Sequence, residues 1–306
     1  MDRTLGIGDL SRLTGVPVRT IRFYCDEGML AARRSSGGHR RFDPDAVERL
    51  SLIRRMRALG LGLPTIITVL TGERSLDEAV AAERAVLDTE LAALSWRRAS
   101  LRAVELADPA ERAARLELLA HAPGPAARDH LVEFWTHSAR DKVSPEILEA
   151  LVGLAVPDTP AEPTPDQVIA FAEMITLTGG IALAHKLRTR ERVNSAEILD
   201  EGGLMLGVGE AYAMAAPALV AGDIPAPGPA LDRFVEAHAY ARGRHGDTPE
   251  FRRHLYRELR RDQDPHIDRY WDLYTEVTGT FVTLGRGQTW LLTALGDSLG
   301  TERRAS

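Results

Sequence analysis

The sequence predicts an all-α protein with one small β wing near its N-terminus. Apolar residues recur at helical spacing through the first hundred of its 306 residues. Later in the chain, capping residues are repeatedly followed by proline, and alternating strands bounded by hairpin turns are not evident. A glycine-tipped basic stretch at residues 32–42 interrupts this helical pattern. The chain is therefore divided into a head (1–74), a connector (75–106) and a body (107–306).

The charge of the chain is unevenly distributed. Hydrophobic residues make up 44% and charged residues 27%, as expected for a globular protein. The net charge is −6, but residues 1–75 carry thirteen arginines against eight acidic residues, a balance of +5 that leaves −11 for the rest. A basic head on an acidic body suits a protein whose head meets a polyanion. Without a secretion signal or a run of 18–20 apolar residues, we expect a cytoplasmic protein and no membrane contact.

The head begins with two short predicted helices. Ile7 and Leu10 share one helical face, and a glycine ends that segment. Pro17 suits the first turn of a second helix, since its missing N–H costs nothing there. Two short helices joined by a tight turn form a helix-turn-helix, whose second helix enters the major groove of DNA. The side chains expected to project from the second helix are Arg19, Thr20, Arg22 and Tyr24.

A basic hairpin and two more helices complete the predicted head. The hairpin has arginines on both sides of a flexible Ser-Ser-Gly-Gly tip, and Phe42 closes it. Its basic residues His39, Arg40 and Arg41 can reach phosphates. A third helix is expected to start at Asp43 as N-cap with proline following, and a fourth helix to follow Pro64.

This order of helix, helix, wing, helix, helix resembles the N-terminal domain of the MerR family of bacterial regulators. The resemblance rests on IGDLSRLTGVPVRTIRFYCDEGML, the wing GGHRRF and the stretch LIRRMRALGLGLPTIITVL. It implies that Arg19, Thr20 and Arg22 face the groove and that the Tyr24 hydroxyl contacts a phosphate. It also implies that His39, Arg40 and Arg41 hold the flanking DNA backbone.

The resemblance further implies a mode of action. A homodimer would bind double-stranded promoter DNA between elements whose spacing is overlong, distort that DNA and work with RNA polymerase at the nucleoid. The chain departs from the family where Cys25 follows the aromatic pair, a position that is commonly acidic. A small, partly buried side chain is the simpler interpretation of Cys25, and a redox-sensing thiol is the alternative.

The connector predicts a long helix that pairs with another helix. Ser75 and Glu78 form a capping box at its start, and no glycine or proline follows until Pro109. The family resemblance implies an antiparallel coiled coil between two subunits, and folding back onto the body is the alternative. Two-fold symmetry then predicts a roughly palindromic operator. The heptad positions assigned to dimerisation are Val80, Leu87, Leu91, Leu94 and Leu101.

The body lies beyond the resemblance and is predicted to be all-helical. Capping motifs and a Thr-Gly pair recur about a hundred residues apart, which suggests an internal duplication of residues 128–195 and 231–298. A single cysteine excludes a thiolate cluster, and no two body histidines are three or four residues apart, so no metal site is predicted. Glu133 and His137 have that spacing, but a surface pair is the simpler interpretation.

The body is expected to sense a small hydrophobic or aromatic organic compound. Other members of the family enclose drug-like compounds in aromatic pockets, and ligand pockets are generally apolar. A body that docks a protein partner is the alternative, and an enzymatic body is a weaker one. No nucleophile elbow, phosphate loop or dinucleotide fingerprint is present, so neither catalysis nor a cofactor is expected. The candidate pocket residues are Trp135, Tyr270, Trp271 and Tyr274.

Overall fold

A computed structural model describes residues 4–35, 37–122, 124–139, 143–180, 197–244 and 246–305 of the chain. The chain divides into two compact units, Met1–Leu91 and Ala92–Ser306. The boundary falls inside the predicted connector. The division into head, connector and body remains a prediction.

The first unit is mainly helical and contains a three-stranded antiparallel sheet. Its elements are β1 (Leu5–Gly6), α1 (Ile7–Thr14), α2 (Val18–Asp26), β2 (Arg33–Arg34), β3 (Arg40–Phe42), α3 (Ala46–Ala58), α4 (Leu63–Thr71) and the start of α5 (Leu76–Glu105). Leu5 pairs with Phe42 and Arg33 with Arg41, so the strand order is β1–β3–β2. The small β wing on an α-helical background is therefore confirmed. Strand β1 was not predicted, because it has only two residues.

The core of this unit collects one apolar side chain or more from almost every element. Leu10, Ile21, Phe42, Leu50 and Ile66 are all fully buried in it. Helix α3 begins later than expected, at Ala46, because the chain after Asp43 first makes a single turn in which the Ala46 N–H donates to the Asp43 carbonyl at 3.0 Å. The expected N-cap at Asp43 is therefore corrected.

Helix α5 begins with the expected capping box. The Ser75 N–H donates to a Glu78 carboxylate oxygen at 2.9 Å, and the Glu78 N–H donates to Ser75 Oγ at 3.2 Å. From there the helix runs for 30 residues, about 45 Å, without interruption.

Every described element of the second unit is a helix, as expected for the body. The elements after α5 are α6 (Arg112–Ala120), a 3-10 turn (Pro125–Ala127), α7 (Arg128–Ala139), α8 (Pro145–Ala155), α9 (Pro165–Gly179), α10 (Glu201–Ala221), α11 (Pro229–Ala241), α12 (Pro249–Arg261), α13 (Pro265–Thr278) and α14 (Leu284–Ala305). Two cores hold the unit together: α9 and α13 pack against each other in one, and α10, α11, α12 and α14 supply the other.

The order of these helices parallels the repeat suggested by the sequence. Helices α8 and α12 start at prolines 104 residues apart, and α9 and α13 start at prolines 100 residues apart. Each of the four has a capping side chain at the residue before its proline. Residues 181–195 of the first copy lie outside the described residues, and the duplication remains a prediction.

Helix α10 has the length and composition of a membrane span. Its mean hydropathy is 1.5 over an 18-residue window, of which 17% is buried. A single helix of this kind is weak evidence for a membrane. Here the helix packs closely along α11, and at Gly207 a side chain would collide with the Cβ of Ala237.

Candidate functional site

The outer face of α2 presents two arginines. Helix α1 ends at Gly15, whose φ of 70° suits glycine and whose N–H donates to the Ser11 carbonyl, so α2 starts three residues later. Ile21 is fully buried and fixes which face of α2 points inward. Arg19 and Arg22 are exposed, and they are three residues apart on the opposite side.

Tyr24 is a correction to the expected projecting set, because it is only 8% exposed and packs in the core of the unit. The reason is helical periodicity: Tyr24 lies three residues after Ile21 and shares its inward face. Thr20 is half-buried. The neighbouring ring of Phe23 is instead exposed, although it was not among the side chains expected to project.

The wing brings further basic side chains to the surface. His39 and Arg41 are exposed, whereas Arg40 donates to an Asp26 carboxylate oxygen at 2.7 Å and so ties the wing to the end of α2. Arg33 and Arg34 on β2 are exposed as well. Both were expected in the hairpin but not among the DNA contacts, although the pairing of β2 with β3 brings them beside the predicted residues.

Cys25 is a half-buried free thiol. Burial raises the pKa of Cys25 above its ordinary value, an effect that Arg40 opposes and Asp26 reinforces. A raised pKa leaves the thiol protonated near neutral pH, which disfavours the redox alternative.

The heptad positions of α5 form a row of exposed apolar side chains, which we call the leucine stripe. Their exposed fractions lie between 39% and 64%. Trp96, Ala99 and Ala103 on another face of the same helix are buried in a core of the second unit. Among the described residues, packing therefore uses other faces of α5 and leaves the stripe exposed. The stripe consists of Val80, Leu87, Leu91, Leu94 and Leu101.

The four aromatic candidates of the body contact one another. Trp135 Nε1 donates to the Tyr270 hydroxyl at 2.8 Å, and that hydroxyl donates to the Ala155 carbonyl at 2.7 Å. The ring centroids of Trp271 and Tyr274 are 5.7 Å apart. Tyr270 is fully buried, and burial raises its pKa far above the ordinary value. One of the four, Trp271, lines a cleft in the described part of the body.

Trp271 lines a cleft of about 490 Å³ together with Trp290, which we call the indole cleft. Two carboxylates, Asp268 and Asp272, and the guanidinium of Arg286 also line it. Burial and the neighbouring Asp272 raise the pKa of Asp268. Trp290 was not predicted as a lining residue because it lies on α14, the next helix along the chain.

Two family models match the first third of the chain. The model described as "MerR HTH family regulatory protein" matches residues 5–73, and the model described as "MerR, DNA binding" matches residues 47–107. Together they include α1–α5 and the wing. The candidate DNA-contacting side chains therefore all lie within the matched region.

Several curated proteins are similar to part of this chain. The nodulation protein NolA of Bradyrhizobium elkanii is 45% identical over 71 residues, 23% of this chain and 32% of that protein. The regulator HmrR of Rhizobium leguminosarum bv. viciae is 31% identical over 87 residues, 28% of this chain and 67% of HmrR. The ZntR homolog of Haemophilus influenzae is 30% identical over 92 residues, 30% of this chain and 68% of that regulator. The chain thus spans about a third of the length of the nodulation protein. No solved structure is significantly similar to it.

Proposed function

This chain belongs to the MerR family of regulatory proteins, and on that premise we propose that it regulates transcription as a ligand-responsive homodimer. It binds a palindromic promoter site in the cytoplasm, distorts the DNA there and acts on RNA polymerase. The observation that carries this proposal is the match of residues 5–107 to two MerR models, with exposed arginines on α2 inside it. The matched models and relatives describe regulators, and we propose no enzymatic activity.

Arg19 and Arg22 are proposed to read base edges in the major groove. A guanidinium offers a planar fork of donors that matches the acceptors of guanine. His39 and Arg41 on the wing hold phosphates, and Arg40 keeps the wing in place through Asp26. Thr20 faces the groove beside the two arginines, whereas the burial of Tyr24 removes it from the proposed contacts.

The leucine stripe is proposed to pair two copies of the chain in an antiparallel coiled coil. Five apolar side chains at heptad spacing, each 39–64% exposed, have the pattern of a coiled-coil seam. A two-fold axis through this pair would present the two α2 helices to successive half-sites, which is why we expect a palindromic operator.

The indole cleft is proposed as the effector site. Its volume of about 490 Å³ falls within the range of small-molecule pockets, and two indoles suit a flat hydrophobic or aromatic compound. Trp271 packs against Tyr270 and Trp135 in the core that also holds Trp96 of α5. A ligand that contacts Trp271 in the cleft is therefore linked to α5, the proposed dimerisation helix, through this core. Regulation requires the ligand to prefer one of two conformations of this packing.

A protein partner is the second candidate for the body. Helix α10 exposes Leu206, Met214 and Val220 by 60%, 47% and 71%, and such a surface can dock another protein. The two candidates differ in tryptophan fluorescence. A broad panel of aromatic compounds should contain some that quench the tryptophan fluorescence of the wild type more strongly than that of a Trp290→Phe variant, which keeps Trp271 in the cleft. Silence across the panel would favour a protein partner.

DNA binding is tested by selecting sites from random-sequence duplexes with the full-length chain. We expect inverted repeats to be enriched, and end-to-end energy transfer in a selected duplex to change on binding if the DNA is bent. Arg22→Ala should weaken binding at least tenfold, since a bidentate base contact contributes about 1–3 kcal/mol and the homodimer loses that contact in both half-sites. Arg257→Ala, an exposed arginine on α12, is the control. Equal affinity of the wild type and Arg22→Ala would contradict the proposed readout.

A further inference from the structure

Three side chains of the second unit bring their polar atoms to one place. The Nε2 atom of His254 lies 3.4 Å from a Glu258 carboxylate oxygen and 3.8 Å from a carboxylate oxygen of Glu197. One donor atom from each of the three lies within 4.8 Å of the other two. We propose that Glu197, His254 and Glu258 form a binding site for a divalent transition-metal ion such as Zn²⁺. This goes beyond the proposed DNA and effector sites and does not depend on them.

The spacing of the donor atoms fits such an ion. Zinc binds imidazole nitrogen and carboxylate oxygen at about 2.0–2.2 Å in a tetrahedral arrangement, which separates neighbouring donors by about 3.4 Å. The two distances from His254 Nε2, 3.4 and 3.8 Å, are close to that value and longer than an ordinary hydrogen bond. Three protein ligands leave a fourth position for water.

The backbone holds these ligands in place. His254 and Glu258 are one helical turn apart on α12, and Leu255 between them in sequence is fully buried, which anchors this turn to the core. Glu197 reaches them because the Leu199 N–H, two residues later, donates to the Ala241 carbonyl at the end of α11 at 2.7 Å. The site therefore joins α12 to the segment that leads into α10.

The charges of the surrounding side chains also favour a bound cation. Two carboxylates, those of Glu197 and Glu258, face the one imidazole of His254. The positive charge of Arg242 is close, with Nη2 3.5 Å from Glu258 and Nε 3.9 Å from Glu197. One guanidinium offsets only one of the two carboxylates, and each carboxylate has a second oxygen that can bind a metal ion.

Arg242 supplies an independent indication. Its side chain is 7% exposed, and its buried Nε–H has no hydrogen-bond acceptor among the described residues. A buried donor without an acceptor is costly. Zinc lowers the pKa of a water molecule bound at the fourth position to about 7, and the resulting hydroxide would provide that acceptor. Through its other nitrogens Arg242 contacts Glu258 and the His238 carbonyl, so it serves as an outer support of the ligands.

The test is a calorimetric titration of the metal-free full-length protein with Zn²⁺ at neutral pH. The wild type should bind one equivalent of Zn²⁺ that is lost, or weakened at least tenfold, in both His254→Ala and Glu197→Gln. Glu197 is exposed, so its variant leaves the packing intact, and circular dichroism checks the fold of each protein. Glu250→Gln, an exposed glutamate on the same helix, should bind Zn²⁺ as the wild type does.

Binding that is equal in the wild type and both site variants would overturn the proposal and show adventitious zinc on other histidines. Cobalt supplies a second readout, because a four-coordinate Co²⁺ ion at this site would give a visible absorption band that His254→Ala abolishes. The absence of such a band in the wild type would also count against the site. Neither measurement involves DNA, so failure of the metal-site proposal is distinguishable from failure of the proposed function.

Discussion

Replacement of Leu94 by alanine should weaken the proposed homodimer strongly. Leu94 is 62% exposed in the single chain, so more than half of its side chain is available for burial by a second copy. Complete burial of a leucine contributes about 1.5–3 kcal/mol, and six-tenths of that is about 1–2 kcal/mol. A homodimer loses this contribution twice, about 2–4 kcal/mol, which raises the dimer dissociation constant roughly 30- to 700-fold.

Sedimentation equilibrium of the full-length chain over a range of concentrations measures this constant. The matched control is Leu206→Ala, because Leu206 is 60% exposed on α10 and lies outside the leucine stripe. We expect the control to dimerise like the wild type. The reasoning is refuted if Leu94→Ala dimerises as tightly as the wild type, or if Leu206→Ala loses as much affinity as Leu94→Ala.

Three further variants test the packing and the electrostatics. Tyr270→Phe removes a buried hydroxyl that donates one hydrogen bond and accepts another, so it should lower the free energy of unfolding by about 2 kcal/mol in urea denaturation, whereas Tyr240→Phe, at a position 67% exposed, should change little. Cys25→Ser and the wild type should keep the same DNA affinity after mild peroxide treatment, because burial raises the pKa of the thiol; a loss confined to the wild type would restore the redox alternative. Hydrogen bonds from Ser75 lower the pKa of Glu78, so its contribution to stability is present at neutral pH and is lost as the pH falls through that lowered pKa. The stability difference between the wild type and Glu78→Gln should therefore shrink in acid, and a constant difference down to about pH 3 would contradict this assignment.

Local patterns in the sequence predicted most of the helices and their caps. The Ser75 capping box and the proline starts of the body helices depend on residues that are neighbours in the chain, so short spacing was enough to find them. The exposure of Tyr24 was predicted wrongly. Its projection was inferred from the residue type, whereas helical spacing places this ring beside Ile21 on the buried face. Strand β1 has two residues and exists only through its pairing with β3, a contact between positions 37 residues apart.

The functional surfaces of the body depend on contacts that no local pattern records. Trp271 and Trp290 meet across two helices to line the indole cleft. Within the metal-ligand cluster, too, a local pattern accounts for some of the residues and a long-range contact for the rest. His254 and Glu258 are four residues apart, a spacing that identifies helical ligand pairs once glutamate is considered beside histidine. Glu133 and His137 have the same spacing, but both are exposed and no third ligand lies beside them in the described chain. What separates the two pairs is Glu197, 57 residues before His254, which the hydrogen bond from Leu199 to Ala241 brings to α12. Spacing along one helix can therefore nominate two ligands, and the third, which turns a surface pair into a binding site, comes from the packing of the helices.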